Sequence, residues 1–131
     1  FRVEWKSFKM RYFFIVILPI FLCSCTKQFE YISVEEFNNF YDNEFELIDV
    51  RTVEEFQSGH ILGAINIDFL SLDLLDEINE IDTNSNLIIY CRTDNRSRKS
   101  AKILADNKYK NVYVIKGGID KWTSQGNPLS F

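Results

Sequence analysis

The chain has 131 residues, 46% of them hydrophobic and 15% aromatic, and a formal net charge of −4. That length suits one domain, and that apolar content supplies a packed core, which excludes a disordered chain. The acidic balance excludes general nucleic-acid binding, which needs a basic face.

The N-terminal segment reads as an address and not as part of the fold. "MRYFFIVILPIFLCSC", Met10 to Cys25, has one basic residue, an apolar run of eleven residues, then small residues and cysteine. This is the order of a secretory signal: charged region, apolar region, cleavage site. The run is shorter than the roughly 20 residues that a membrane-crossing helix needs. Pro19 and the one-sided polar flank count against a buried core helix. "LCSC", residues 22–25, resembles the lipobox of bacterial lipoproteins. That resemblance implies cleavage before Cys25 and a lipid on its sulfur; a plain signal peptide is the alternative. Residues 1–9 precede the expected start at Met10 and are set aside. The expected division is 1–24 upstream residues and signal peptide, 25–30 a lipidated tether, and 31–131 the folded domain. The domain would be lipid-anchored in a bacterial cell envelope, on the periplasmic or outer side of a membrane.

Cleavage would remove four basic residues (Arg2, Lys6, Lys9, Arg11) and one acidic residue (Glu4), leaving 11 basic against 18 acidic, a net of −7. Cys23 would be lost and Cys25 blocked by lipid, so Cys91 remains as the one free thiol and a disulfide framework is excluded. A single thiol in an oxidising compartment is a liability unless it is buried or used.

Along the chain, apolar runs alternate with helical patterns. Ser33 with Glu36 makes a capping box that opens a helix over 34–41. "FELIDV", 45–50, reads as a strand. Thr52 with Glu55 makes a second capping box, opening a short helix that Gly59 ends. "AINI", 64–67, is a short strand. Leu72, Leu75 and Ile78 recur at helical spacing and predict a helix over 72–80. "LIIY", 87–90, is apolar on both faces, as a buried parallel strand should be. A helix follows over 97–107, with Ala101, Leu104 and Ala105 on one face. "VYVI", 112–115, is the next strand, Gly117–Gly118 turns the chain, and 119–125 is a last helix. The alternation predicts an α/β fold: a mainly parallel central sheet of about five short strands with helices on both faces. Ligands of such sheets sit beyond the carboxyl ends of the strands, and Cys91 directly follows one.

"CRTDNR", 91–96, is then a tight loop feeding a helix. Such a loop points several backbone N–H groups at one spot and binds anions. A thiolate is an anion, so the same cradle favours the nucleophilic form. Arg92 and Arg96 add positive charge, whereas Arg98, Lys99 and Lys102 read as a solvated helix face. The alternative for Cys91 is a small buried hydrophobe at a strand end.

"LIDVRTVEEFQSGHILGAINI", 47–67, "IIYCRTDNRSRKSAKIL", 88–104, and "VIKGGIDKW", 114–122, resemble the three signature stretches of the rhodanese-type sulfurtransferases, over roughly residues 31–126. The resemblance implies a rhodanese-like fold and a two-step transfer of sulfane sulfur. Cys91 takes the sulfur from a donor such as thiosulfate and passes it, as a persulfide, to a thiophilic acceptor. It implies a substrate-binding loop of Arg92, Thr93, Asp94, Asn95, Arg96 and Ser97, with the arginines drawing in a small anionic donor. It implies no metal and no organic cofactor, and a monomer. The acceptor would be a thiol or cyanide, with a thioredoxin-like protein as one candidate. The remaining motif residues are given structural roles. Asp49 and Arg51 form buried hydrogen bonds or an ion pair, with Glu55 as one candidate partner; His60, the only histidine, packs and fixes a loop; Gly63, Gly117 and Gly118 suit tight turns; Trp122 is core.

Two other readings stay open. A cysteine-dependent phosphatase carries its arginine six positions after the cysteine, but here position 97 is Ser and the arginine stands at 96. A rhodanese-like module that binds a partner without turnover is the stronger rival, because Asp94 stands where the family loop usually has Gly. Asp tolerates φ > 0, so the turn survives, but its charge would oppose both the thiolate and an anionic donor. The expectation is a slow enzyme that Asp94→Gly would accelerate.

Overall fold

The computed structural model describes residues 28–71 and 74–131. The signal-peptide and lipidation readings, Cys25 included, and Leu72 fall outside these residues. Five parallel strands form one sheet: β1 (Glu30–Ile32), β2 (Glu46–Asp49), β3 (Ile65–Asn66), β4 (Asn86–Tyr90) and β5 (Asn111–Ile115). Their order is β1-β5-β4-β2-β3, so β4 is central. The helices are α1 (Val34–Asn38), α2 (Val53–Gln57), α3 (Leu74–Ile78), α4 (Asn95–Asp106) and α5 (Gly118–Ser124). This is the α/β sheet the alternation predicts, with helices on both faces.

The sheet carries two cores because a central parallel strand is buried on both sides. Leu87, Ile89 and Cys91 join the core with Leu74 and Ile78 of α3 and Ala101 and Leu104 of α4. Ile88 and Tyr90 join the core with Val34 and Phe37 of α1 and Ile119 and Trp122 of α5. The period of two along β4 thus sends Cys91 to the α3/α4 face. Each fully buried Leu or Ile contributes about 1.5–3 kcal/mol, so the strand leading to Cys91 is firmly anchored.

Both capping boxes form. Ser33 Oγ accepts from the Glu36 N–H at 3.1 Å while Glu36 Oε2 accepts from the Ser33 N–H at 2.7 Å. Thr52 and Glu55 repeat the arrangement at 3.3 and 3.0 Å.

Several boundaries differ from expectation. β1 begins inside the segment read as a tether: Glu30 pairs with Tyr113 of β5, and Phe29 packs on the core. Three residues with one buried side chain, Ile32, give no readable alternation. The first helix passes at Asn39 into a 3-10 turn, Asn39–Asp42. In α3 the buried positions are Leu74 and Ile78, and Leu75 is exposed. α4 starts at Asn95, two residues early, inside the stretch read as loop.

Candidate active site

Cys91 follows the last residue of β4, between the carboxyl ends of β2 and β5. It is 1% exposed. Its Sγ lies 3.3 Å from Oγ of Ser97, which is buried in the first turn of α4. Ser97 Oγ also lies 3.2 Å from the Asp94 carbonyl, to which it can donate. One hydroxyl proton therefore serves two acceptors. With a thiol present it goes to the carbonyl and the S–H can donate to Oγ; with a thiolate present it can turn to the sulfur.

The loop ahead of α4 is gripped from below by the start of α5. The Ile119 N–H donates to the Cys91 carbonyl at 3.0 Å and the Asp120 N–H to the Arg92 carbonyl at 3.1 Å. Gly118 makes this approach possible. A Cβ there would stand 2.4 Å from the Cys91 carbonyl oxygen, 2.6 Å from that of Thr93 and 2.7 Å from that of Arg92, and its φ is +56°. Any side chain would push the loop away. Among the described residues no backbone carbonyl accepts from the amides of Arg92, Thr93 or Asp94. Those of Asn95, Arg96 and Ser97 open a helix and have no partner within it; the first turn closes with the Arg98 N–H on the Asp94 carbonyl at 2.9 Å. Six consecutive amides, 92–97, thus have no backbone acceptor among the described residues.

The two loop arginines are already engaged. Arg96 makes a bidentate pair with Glu55 of α2, at 2.5 and 2.9 Å. The pair holds the Glu55 carboxyl down at about 2, chiefly through the Arg96 hydrogen bond and against the cost of burial. It raises the Arg96 guanidinium in turn, again against the cost of burial. Arg92 is exposed and lies 3.3 Å from Asp120. Each loop arginine thus has a carboxylate partner, Asp120 for Arg92 and Glu55 for Arg96. Thr93 and Asn95 form the exposed rim. Arg98 and Lys99 are exposed, and Lys102 pairs with Asp106 at 2.8 Å, so that face is solvated as expected.

Asp94 departs furthest from expectation. Its φ is −138°, and Lys108 is the only non-glycine residue with positive φ among those described. The turn therefore needs no left-handed residue at 94 or 95. Its carboxylate has a partner of its own: Oδ1 accepts from the Gly117 N–H at 2.8 Å.

A family model described as Rhodanese-like domain matches residues 33–125. The chain belongs to the rhodanese-like family. It is 41% identical over 91 residues to the uncharacterized protein YqhL of Bacillus subtilis, covering 70% of each chain. It is 32% identical over 95 residues to the thiosulfate sulfurtransferase GlpE of Ectopseudomonas mendocina, covering 72% of this chain and 85% of that one. The crystal structure of a rhodanese-like domain protein from Staphylococcus aureus superposes with a TM-score of 0.67 at 27% identity, over 78% of this chain and 97% of that one. Other relatives are longer: the chain spans 24% of the adenylyltransferase and sulfurtransferase UBA4 of Meyerozyma guilliermondii.

The rest of this rhodanese-like domain's signature builds the floor beside the loop. Asp49 and Arg51 pair with each other, Nη2 to Oδ2 at 2.6 Å, both buried, and Glu55 is not their partner. Burial disfavours the Arg51 cation, and the hydrogen bonds and charge of Asp49 more than restore it. Arg51 Nη2 also donates to the Gly59 carbonyl at 2.8 Å. His60 stacks on Phe56 with ring centroids 3.8 Å apart, and its Nδ1 lies 3.1 Å from the Phe56 carbonyl. Its backbone pairs with Ser130. Gly63 has φ +83° in open space. Trp122 is buried and donates through Nε1 to the Pro128 carbonyl at 2.8 Å.

Two further residues are visible only in the fold. Asn66 Nδ2 donates to the carbonyls of Asp49 and Arg51 at 3.0 and 2.9 Å, and Tyr90 Oη accepts from the Ile61 N–H at 3.1 Å. Burial, with the Asp49 charge next, raises the Tyr90 phenol and keeps it neutral. Both residues act across turns, which no local pattern signals.

Proposed function

We propose that this domain is a sulfurtransferase that carries sulfane sulfur on Cys91. The observation that supports it most is that Cys91, the one free thiol among the described residues, heads six consecutive amides that have no backbone acceptor. The Cys91 thiolate attacks the outer sulfur of thiosulfate; the S–S bond breaks with its electron pair and sulfite leaves. Cys91 then holds a persulfide, whose negative charge the loop amides and the Ser97 hydroxyl can share. A second nucleophile, cyanide or a thiol, takes the outer sulfur and regenerates the thiolate. An organic hydropersulfide can load the same cysteine with release of a thiol. This is covalent two-step catalysis, with ping-pong kinetics expected. It needs no metal or organic cofactor.

A second reading is a binding module without turnover. It draws on the burial of Cys91 and on carboxylates that already occupy both arginines. The phosphatase reading loses ground: Ser97 stands where that chemistry puts an arginine, and Glu55 holds Arg96. Mass spectrometry after incubation with thiosulfate or a hydropersulfide is expected to find one added sulfur on the wild type and none on Cys91→Ser. Thiocyanate formation should vanish in the variant. A wild type that takes up no sulfur from either donor, or a variant that still turns over, overturns the enzyme reading.

We also propose that Cys25 carries a lipid that holds the domain at a membrane of a bacterial envelope. Support comes from "LCSC" after a short apolar run; no helix among the described residues is long and apolar enough to cross a membrane. Cys25→Ala should move the protein from the membrane fraction to the soluble one, as loss of the acyl chains removes the anchor. Retention in the membrane would rule the lipid out.

A further inference from the structure

Asp94 occupies the N-cap position of α4 but makes no side-chain cap hydrogen bond there. Its Oδ1 instead accepts from the Gly117 N–H, 23 residues away. The same residue's carbonyl oxygen accepts from Ser97 Oγ and from the Arg98 N–H. Ser97 Oγ in turn touches the Cys91 sulfur. One residue thus joins the Gly117 turn to the hydroxyl beside the thiol. We propose that Asp94 is a positioning residue, a side-chain staple that holds the Cys91 loop on α5 so that its amides and Ser97 face the sulfur. The proposal rests on the sulfurtransferase reading.

Three ties make the case geometric. Gly117, Ile119 and Asp120 donate to Asp94 Oδ1, the Cys91 carbonyl and the Arg92 carbonyl, respectively. Two ties are backbone to backbone and do not involve the side chain of residue 94. The third depends on residue 94 having a side-chain acceptor of the right reach. With φ at −138° the backbone places no demand for glycine, so the side chain and not backbone freedom is what this position supplies. The side chain also lines a groove that holds Lys116 and Lys121 as well as Glu35. The effect expected from sequence therefore reverses sign: Asp94→Gly should slow the enzyme.

The test compares Asp94→Asn, Asp94→Ala and Asp94→Gly with wild type. Asn keeps an acceptor oxygen and loses the charge; Ala and Gly lose both. Losing one such hydrogen bond should cost kcat roughly five- to tenfold in Ala and Gly, with KM for thiosulfate changed less than about twofold. Asn should stay within about twofold of wild type. Hydrogen–deuterium exchange at the Gly117 amide should speed up in Ala and Gly but not in Asn. Full activity of Asp94→Ala or Asp94→Gly overturns the proposal. So does an Asn variant as slow as Ala, since charge and not the acceptor would then matter. If the wild type takes up no sulfur, the enzyme reading falls, and the staple is judged by exchange alone: equal Gly117 exchange in wild type and Asp94→Ala overturns it.

Discussion

Two carboxylate–guanidinium pairs flank the Cys91 loop, and they are built for different purposes. Asp49 and Arg51 are two residues apart on one corner, with side chains 0% and 7% exposed. Glu55 and Arg96 are 41 residues apart, with side chains 32% and 22% exposed. The first pair is saturated: Asp49 takes the Arg51 backbone N–H as well as its guanidinium, and Arg51 also reaches Gly59. It locks the chain where it leaves β2. The second ties α2 to the helix that carries the loop and leaves water near both ions. Burial makes one pair scaffold, because neither ion can be left alone there. Partial exposure makes the other adjustable, because water can replace either partner at small cost.

The comparison can be broken most forcefully at Asp49. Asp49→Ala strands a buried guanidinium, so the domain should lose about 3–5 kcal/mol in urea unfolding. A loss under about 1 kcal/mol would mean that water reaches Arg51 and that the two pairs are alike.

Glu55→Gln should act more gently. It keeps an acceptor for the Thr52 N–H and for Arg96, and should cost about 1 kcal/mol. Its pH signature sharpens the contrast. The Glu55 carboxyl is lowered from 4.5 to about 2 in the folded chain. Its stabilisation is therefore complete above the ordinary carboxylate range and fades as pH falls from about 4.5 toward 2. The wild type should lose its margin over Glu55→Gln across that window, as read by unfolding at each pH. A margin that does not change with pH would assign the stabilisation elsewhere. With Glu55 neutral, the Arg96 charge is also uncompensated beside the loop, so KM for an anionic donor should fall.

Local patterns carry much of this molecule. Ser33 with Glu36, and Thr52 with Glu55, announce two helix starts because a capping box closes within four residues. "LIIY" announces a doubly buried strand, and the Cys91 loop follows from strand meeting helix. The pairing of Asp49 with Arg51 is local too, so those residues could be placed together before any fold was known. β1 escapes because three residues with one buried side chain leave no pattern until β5 is beside them.

The parallel sheet and its thiol at the end of a central strand were set by sequence alone, because alternation and burial act over a few residues. The tertiary structure decided where the charges went. Arg96 finds Glu55 only once α2 and α4 lie side by side, and Arg92 finds Asp120 only once α5 docks. Asp94 reads as a hostile charge in the loop until Gly117 arrives beneath it. A charged side chain takes its partner from whatever the fold brings within hydrogen-bond reach, and sequence distance does not measure that.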